Sequence, residues 1–153
     1  MKTHSLPSSI KIAPGNPLPL GATVSEKGVQ FSLFSRHATS IILQLFSSSK
    51  DTEPSHEITL DPESNKTGDL WHIFIEGIKP GQLYGYRADG PYRPREGMRF
   101  NKNKLLLDPF TRAVTGNFNW DLSDARSYDI NLSLIHISEP TRLNSTSRMP
   151  SSA

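Results

Sequence analysis

The sequence predicts an all-β protein, a two-sheet β-sandwich followed by an irregular C-terminal extension. Short apolar runs recur at a spacing of roughly 8–12 residues, as in sandwich folds. Pro and Gly punctuate the chain from Pro14 to Gly116. No segment of ten or more residues carries apolar spacing at the helical period. Parallel α/β architectures need crossover helices, and the sequence offers none.

The strands follow in order. Gly28 opens Val29-Gln30-Phe31-Ser32-Leu33, whose alternation puts Val29, Phe31 and Leu33 on one face, and Ser35–Thr39 reads as the turn after it. Ile41-Ile42-Leu43-Gln44-Leu45-Phe46 is β-branched and mostly apolar, the pattern of a strand covered on both sides. Ser47–Ser55 is a polar loop, and Glu57-Ile58-Thr59-Leu60 is a shorter strand. Asp61-Pro62 through Gly68-Asp69 is turn chemistry, after which Trp71, Ile73 and Ile75 alternate with His72 and Phe74. Lys79-Pro80-Gly81-Gln82 is a Pro-Gly turn leading into Leu83-Tyr84-Gly85-Tyr86-Arg87, so these last two strands are expected to form an antiparallel hairpin. Beyond Gly90, the Arg- and Pro-rich Pro91–Gly97 cannot be a central strand, and Lys104–Leu107 is expected to make one helical turn before Pro109.

Composition removes several classes of function. The chain has 153 residues, 17 Lys and Arg against 15 Asp and Glu, and no cysteine. Zero cysteines exclude thiol catalysis, zinc–cysteine sites and a disulfide framework. The basic residues are scattered without a run of five, so no nucleic-acid partner is expected. No run of 18 apolar residues exists, and Met1–Gly15 lacks the apolar stretch of a secretory signal, so no membrane partner is expected and a cytoplasmic location is. Lys2, Ser5, Ser8, Ser9 and Lys11 precede the first acid, Glu26, a pattern that keeps a plastid transit segment as the minor alternative.

Candidate residues are few. Trp71, Tyr84, Tyr86, Tyr92 and Trp120 could offer flat faces to sugar rings. The strand positions of Trp71, Tyr84 and Tyr86 equally suit core packing, whereas Tyr92 and Trp120 lie in irregular segments where exposure follows. Arg87, Arg93, Arg95 and Arg99 flank Gly90-Pro91-Tyr92 and could hold a carboxylate or simply be solvated. His37, His56 and His72 are too dispersed for a metal motif. Asp61 with Glu63, and Asp108 before Pro109, sit in turn chemistry rather than as a catalytic pair. No catalytic residue, metal site or cofactor is expected.

Several pieces carry a family resemblance: Pro17–Thr23, Gly28–Ser35 with His37-Ala38-Thr39, Lys79–Arg87, Gly90-Pro91-Tyr92, and Arg99-Phe100-Asn101 through Lys104–Pro109. In this order they resemble the N-terminal domain of bacterial glycogen debranching enzymes and isoamylases of glycoside hydrolase family 13. That resemblance implies an immunoglobulin-like sandwich, carbohydrate-binding module family 48, ahead of a (β/α)8 barrel that hydrolyses α-1,6 branch links. Such chemistry needs two carboxylates about 5–5.5 Å apart, which the family carries on the barrel. A barrel takes about 200 residues or more, and only 24 follow Asp129. The expectation is therefore a truncated, non-catalytic module. Its partners would be an α-glucan (glycogen or limit dextrin) and the missing barrel of the same polypeptide. An autonomous α-glucan-binding module and a structural docking domain are the alternatives. Tyr92, Trp120, Trp71, Arg93 and Phe100 are the candidates for glycan or interdomain contact.

The expected organisation is a disordered N-terminus over 1–12, the sandwich over 13–90, an irregular extension over 91–131, and a disordered tail over 132–153. Leu132–Arg142 separately resembles the translation of a transposase adapter used in sequencing libraries, and Ser147–Ala153 resembles the far end of that adapter. The tail is thus set apart from fold reasoning, and His136 and Glu139 are not site candidates.

Overall fold

A computed structural model describes residues 10–115 together with the backbone of residues 134–136. Among the described residues there are twelve strands: β1 (Ile12–Ala13), β2 (Gly21–Val24), β3 (Gly28–Phe34), β4 (Ser40–Phe46), β5 (His56–Leu60), β6 (Lys66–Thr67), β7 (Leu70–Glu76), β8 (Leu83–Asp89), β9 (Tyr92–Arg93), β10 (Met98–Arg99), β11 (Ala113–Thr115) and β12 (Leu134–His136). Among the described residues the only helical element is a 3-10 turn at Pro94–Glu96. The fold is all-β, as the spacing of apolar runs predicts.

Two antiparallel sheets form the sandwich. One runs β1-β7-β3-β2 with β6 also on β7, and the other β11-β12-β8-β4-β5. The inner faces are the residues that alternation assigns: Val29 and Phe31 from β3 and Trp71, Ile73 and Ile75 from β7 meet Ile41, Leu43 and Leu45 from β4 and Tyr84, Tyr86 and Ala88 from β8. Burying each large apolar side chain contributes about 1.5–3 kcal/mol, so this one cluster supplies most of the driving force. Phe31 and Tyr84 join the sheets edge to face, with ring centroids 5.0 Å apart.

Strand β4 is buried on both faces, as its continuous apolar run predicts. On its outer side Phe46 packs with Leu83 under Leu105. Gln44, also outward, bonds to Glu57 and accepts from Arg87 Nε at 3.0 Å. A buried amide is tolerated there because both of its ends are satisfied.

Three expectations are corrected. First, β7 and β8 do not form a hairpin: β7 pairs with β3, and β8 pairs with β4. Their link spans residues 77–82, and Ile78 within it is buried in the core, so the chain arches from one sheet to the other. Gln82 fastens the far end by donating to the Phe46 carbonyl at 2.7 Å. Second, Lys104–Leu107 is not a helical turn. Leu106 instead exchanges two main-chain bonds with Tyr86, at 2.7 and 3.0 Å, because the free edge of β8 offers those groups. Third, within 132–153, Leu134–His136 is a strand that pairs with β8 and β11. An apolar Leu-Ile-His-Ile run beside an open strand edge is enough to produce that pairing. At the other end Ile12 belongs to β1, paired with Ile75.

Candidate functional site

An open cleft of about 400 Å³ lies between the β3–β4 link and β10, lined by Phe34, Ser35, Arg36, His37, Gly97, Met98 and Phe100. Phe34 is the residue where β3 presents an apolar side chain outward, and it is 54% exposed. The link is held in place by main-chain geometry. Ser35 donates to the Asp69 carbonyl at 2.9 Å, and its own carbonyl accepts from Trp71 Nε1 at 3.0 Å. Arg36 Nε meets Asp69 Oδ2 at 2.9 Å.

The opposite wall is fixed by Phe100, which packs on the core. It lies so close to Gly90 that a Cβ there would stand 2.8 Å from the ring. Beside it, β9 and β10 make a two-stranded ribbon in which Met98 opposes Arg93 and Arg99 opposes Tyr92. Opposed residues share a face, so Arg93 lies on the Met98 side and Tyr92 on the other. Arg93 reaches Glu96 at 3.5 Å, an exposed and loose pair.

The sequence-derived candidates divide. Phe100 lines the cleft, Arg93 flanks it, and Tyr92 is 71% exposed on the ribbon. Trp71 is a correction: it is 1% exposed and presents no face to a ligand. Its position in the inward register of β7 decides this, with Lys66 Nζ 4.8 Å from the ring centroid. Trp120 lies outside the described residues. Phe34, Ser35, Arg36, His37, Gly97 and Met98 were not singled out from sequence as a cleft. The parity of β3, which turns Phe34 to solvent, is the signal that could have found the first of them.

The remaining polar candidates are structural. His72 is buried, with Nδ1 2.7 Å from the Pro14 carbonyl and Nε2 2.8 Å from Thr67 Oγ1. Asp61 Oδ1 accepts from the Glu63 amide at 3.0 Å, a turn cap. Asp108 is 1% exposed and accepts from Tyr84 Oη and from the Phe110 amide, both at 2.8 Å. Burial pushes its carboxyl above the usual range, and those two donors offset part of the rise. Burial and the neighbouring Asp108 likewise push the Tyr84 and Tyr86 phenols up. Among the described residues no group of three or more His, Cys, Asp or Glu could hold a metal ion, and no helix is long and apolar enough to cross a membrane.

The described residues form a small antiparallel sandwich with a buried carboxylate that is tied down structurally and an open aromatic and cationic cleft, the build of a β-sandwich binding-module class. The chain belongs to the carbohydrate-binding module 48 family, the isoamylase N-terminal domain, which it matches over residues 19–111.

It is 49% identical over 106 residues to a glycogen debranching enzyme of Serratia proteamaculans (strain 568), covering 69% of this chain and 15% of that protein. It is 40% identical over 123 residues to isoamylase 3, chloroplastic, of Oryza sativa subsp. japonica, covering 76% of this chain and 16% of that one. The chain thus spans about 15% of the length of such relatives. Its fold matches the GBS pullulanase SAP in complex with maltotetraose, with a TM-score of 0.57, 21% identity, and coverage of 86% of this chain and 16% of that one. The catalytic module of the pneumococcal glycogen-degrading factor SpuA matches with a TM-score of 0.56 and 18% identity, covering 80% and 16%.

Proposed function

We propose that the chain is the N-terminal, non-catalytic module of a glycogen-debranching α-1,6-glucosidase, acting in the cytoplasm on glycogen or limit dextrin. The observation that carries this is the 49% identity to a glycogen debranching enzyme, confined to 15% of that protein. The site supports it. Hydrolysis with retention needs two carboxylates about 5–5.5 Å apart at an accessible place, and Asp108 is sealed under Tyr84. The cleft between Phe34 and Phe100 faces the glucan, and Tyr92, on the opposite face of the ribbon from Arg93, faces the catalytic barrel of the same polypeptide.

Two measurements test the proposal. The chain alone releases no reducing sugar from branched glucan, and its migration in native gels is retarded by glycogen; unchanged mobility removes the glucan-facing role. Sequencing of the gene across Asn131 is expected to run in frame into a barrel, and a native stop codon after Ala153 overturns the assignment.

A further inference from the structure

We infer that the cleft between Phe34 and Phe100 binds a phosphorylated glucosyl group, its ring on the two phenyl faces and its phosphate on Arg36. The inference rests on the reading of the chain as a glucan-directed module, and it specifies the ligand of that site.

The cleft is asymmetric in hydrogen-bonding character. Phe34, Phe100 and Met98 supply an apolar floor suited to the C–H face of a pyranose. The polar side chains in the lining are Ser35, Arg36 and His37, and no carboxylate or amide joins them. A guanidinium only donates. Ser35 and His37 can each donate or accept, enough for sugar hydroxyls, whereas the Arg36 guanidinium is matched only by added acceptors such as phosphate oxygens. The donor-only Arg36 therefore favours a sugar that carries an anionic group.

Arg36 is also oriented for the task. Its Nε is taken by Asp69 Oδ2 at 2.9 Å, and its terminal nitrogens make no protein hydrogen bond among the described residues. A guanidinium anchored through Nε offers a fixed pair of donors, the geometry that matches phosphate. Arg93, on the Met98 side of the ribbon, is already paired with Glu96 at 3.5 Å, so Arg36 is the cation on which the site rests. The volume of about 400 Å³ accommodates a sugar ring and its phosphate at the lower end of ligand-site sizes.

The phosphoryl group could stand on a glucan chain or on a free sugar phosphate. Calorimetry on the full 153-residue chain separates the two, using glucose 6-phosphate, glucose, inorganic phosphate, and naturally phosphorylated amylopectin before and after phosphatase treatment. Phosphorylated amylopectin or glucose 6-phosphate is expected to bind at least about tenfold more tightly than its dephosphorylated counterpart and than inorganic phosphate. Binding of the polymer alone assigns a glucan phosphoester, and binding of both assigns the shared glucosyl phosphate. Phe34→Ala and Arg36→Ala should each weaken that binding by roughly tenfold without shifting the unfolding midpoint. Equal affinity with and without phosphate overturns the proposal while leaving the glucan-facing role standing. Absence of phosphoester binding, equally tight inorganic phosphate, or insensitivity to both substitutions also overturns it.

Discussion

Tyr84 Oη donates a 2.8 Å hydrogen bond to Asp108 Oδ2 across 24 residues of sequence, and this buried contact ties the extension to the inner face of the sandwich. Around it Leu106 brackets Tyr86 through the main chain, and Leu105 lies on Gly85, where a Cβ would stand 2.7 Å from Leu105 Cδ1. Leu105, Leu106 and Asp108 are therefore part of the folded body.

Tyr84→Phe keeps the ring against Phe31 but leaves the buried carboxylate short of a donor. The expected loss is about 1.5–3 kcal/mol, the worth of a hydrogen bond to a charged group, read as a lower urea midpoint at unchanged slope.

The same contact has a pH signature. The folded-state pKa of Asp108 is raised, chiefly by burial. A carboxyl raised on folding binds more protons in the native state, so its contribution to stability is present below the unfolded pKa of about 3.9 and is lost as pH rises toward the folded value. Asp108→Asn does not titrate. Urea unfolding of the two proteins from pH 4 upward should show their difference moving in favour of the Asn variant; a pH-independent difference refutes the assignment.

Gly28 opens β3 against the backbone of β7, where a Cβ would overlap the Ile75 carbonyl oxygen and stand 2.8 Å from the Glu76 Cα. Gly28→Ala therefore forces two main chains apart. A loss of about 1–3 kcal/mol is expected by thermal or urea unfolding, despite the higher strand propensity of Ala.

Ile75 and Tyr92 form a contrasting pair. Ile75→Ala, at a fully buried position, should cost about 2–5 kcal/mol through the cavity it leaves. Tyr92→Ala, at an exposed one, should stay within about 0.5 kcal/mol of the parent. If Tyr92 faces the barrel, its substitution should weaken capture of that domain while leaving the midpoint in place.

Much of the sandwich was legible in the sequence because its inner faces follow a period of two without interruption: Val29 and Phe31, then Trp71, Ile73 and Ile75, are all buried. Pairing was less legible. Alternation tells which face a residue occupies but not which neighbour it takes, and Ile78 turns the link between β7 and β8 into an arch between sheets. Leu105, Leu106 and Asp108 read as helix and turn because their partners lie some twenty residues back on β8. The cleft was the least legible part. Its walls come from Phe34–His37 and Gly97–Phe100, two segments with no motif in common, and only the fold makes them neighbours.

Strand β8 sets an order on synthesis. Its partner β4 has left the ribosome well before it, but its other edge is paired by Leu106 and by β12, and its Tyr84 hydroxyl is bonded by Asp108. A nascent chain that has exposed residues only up to Asp89 carries β8 paired with β4, with its other edge raw and a buried phenol still waiting for its acceptor. The Leu106 and Asp108 contacts come about twenty residues later, roughly one to four seconds at common elongation rates of about 5–20 residues per second. Over that interval the unsealed edge is open to other strands, and a pause in translation there would lengthen the exposure.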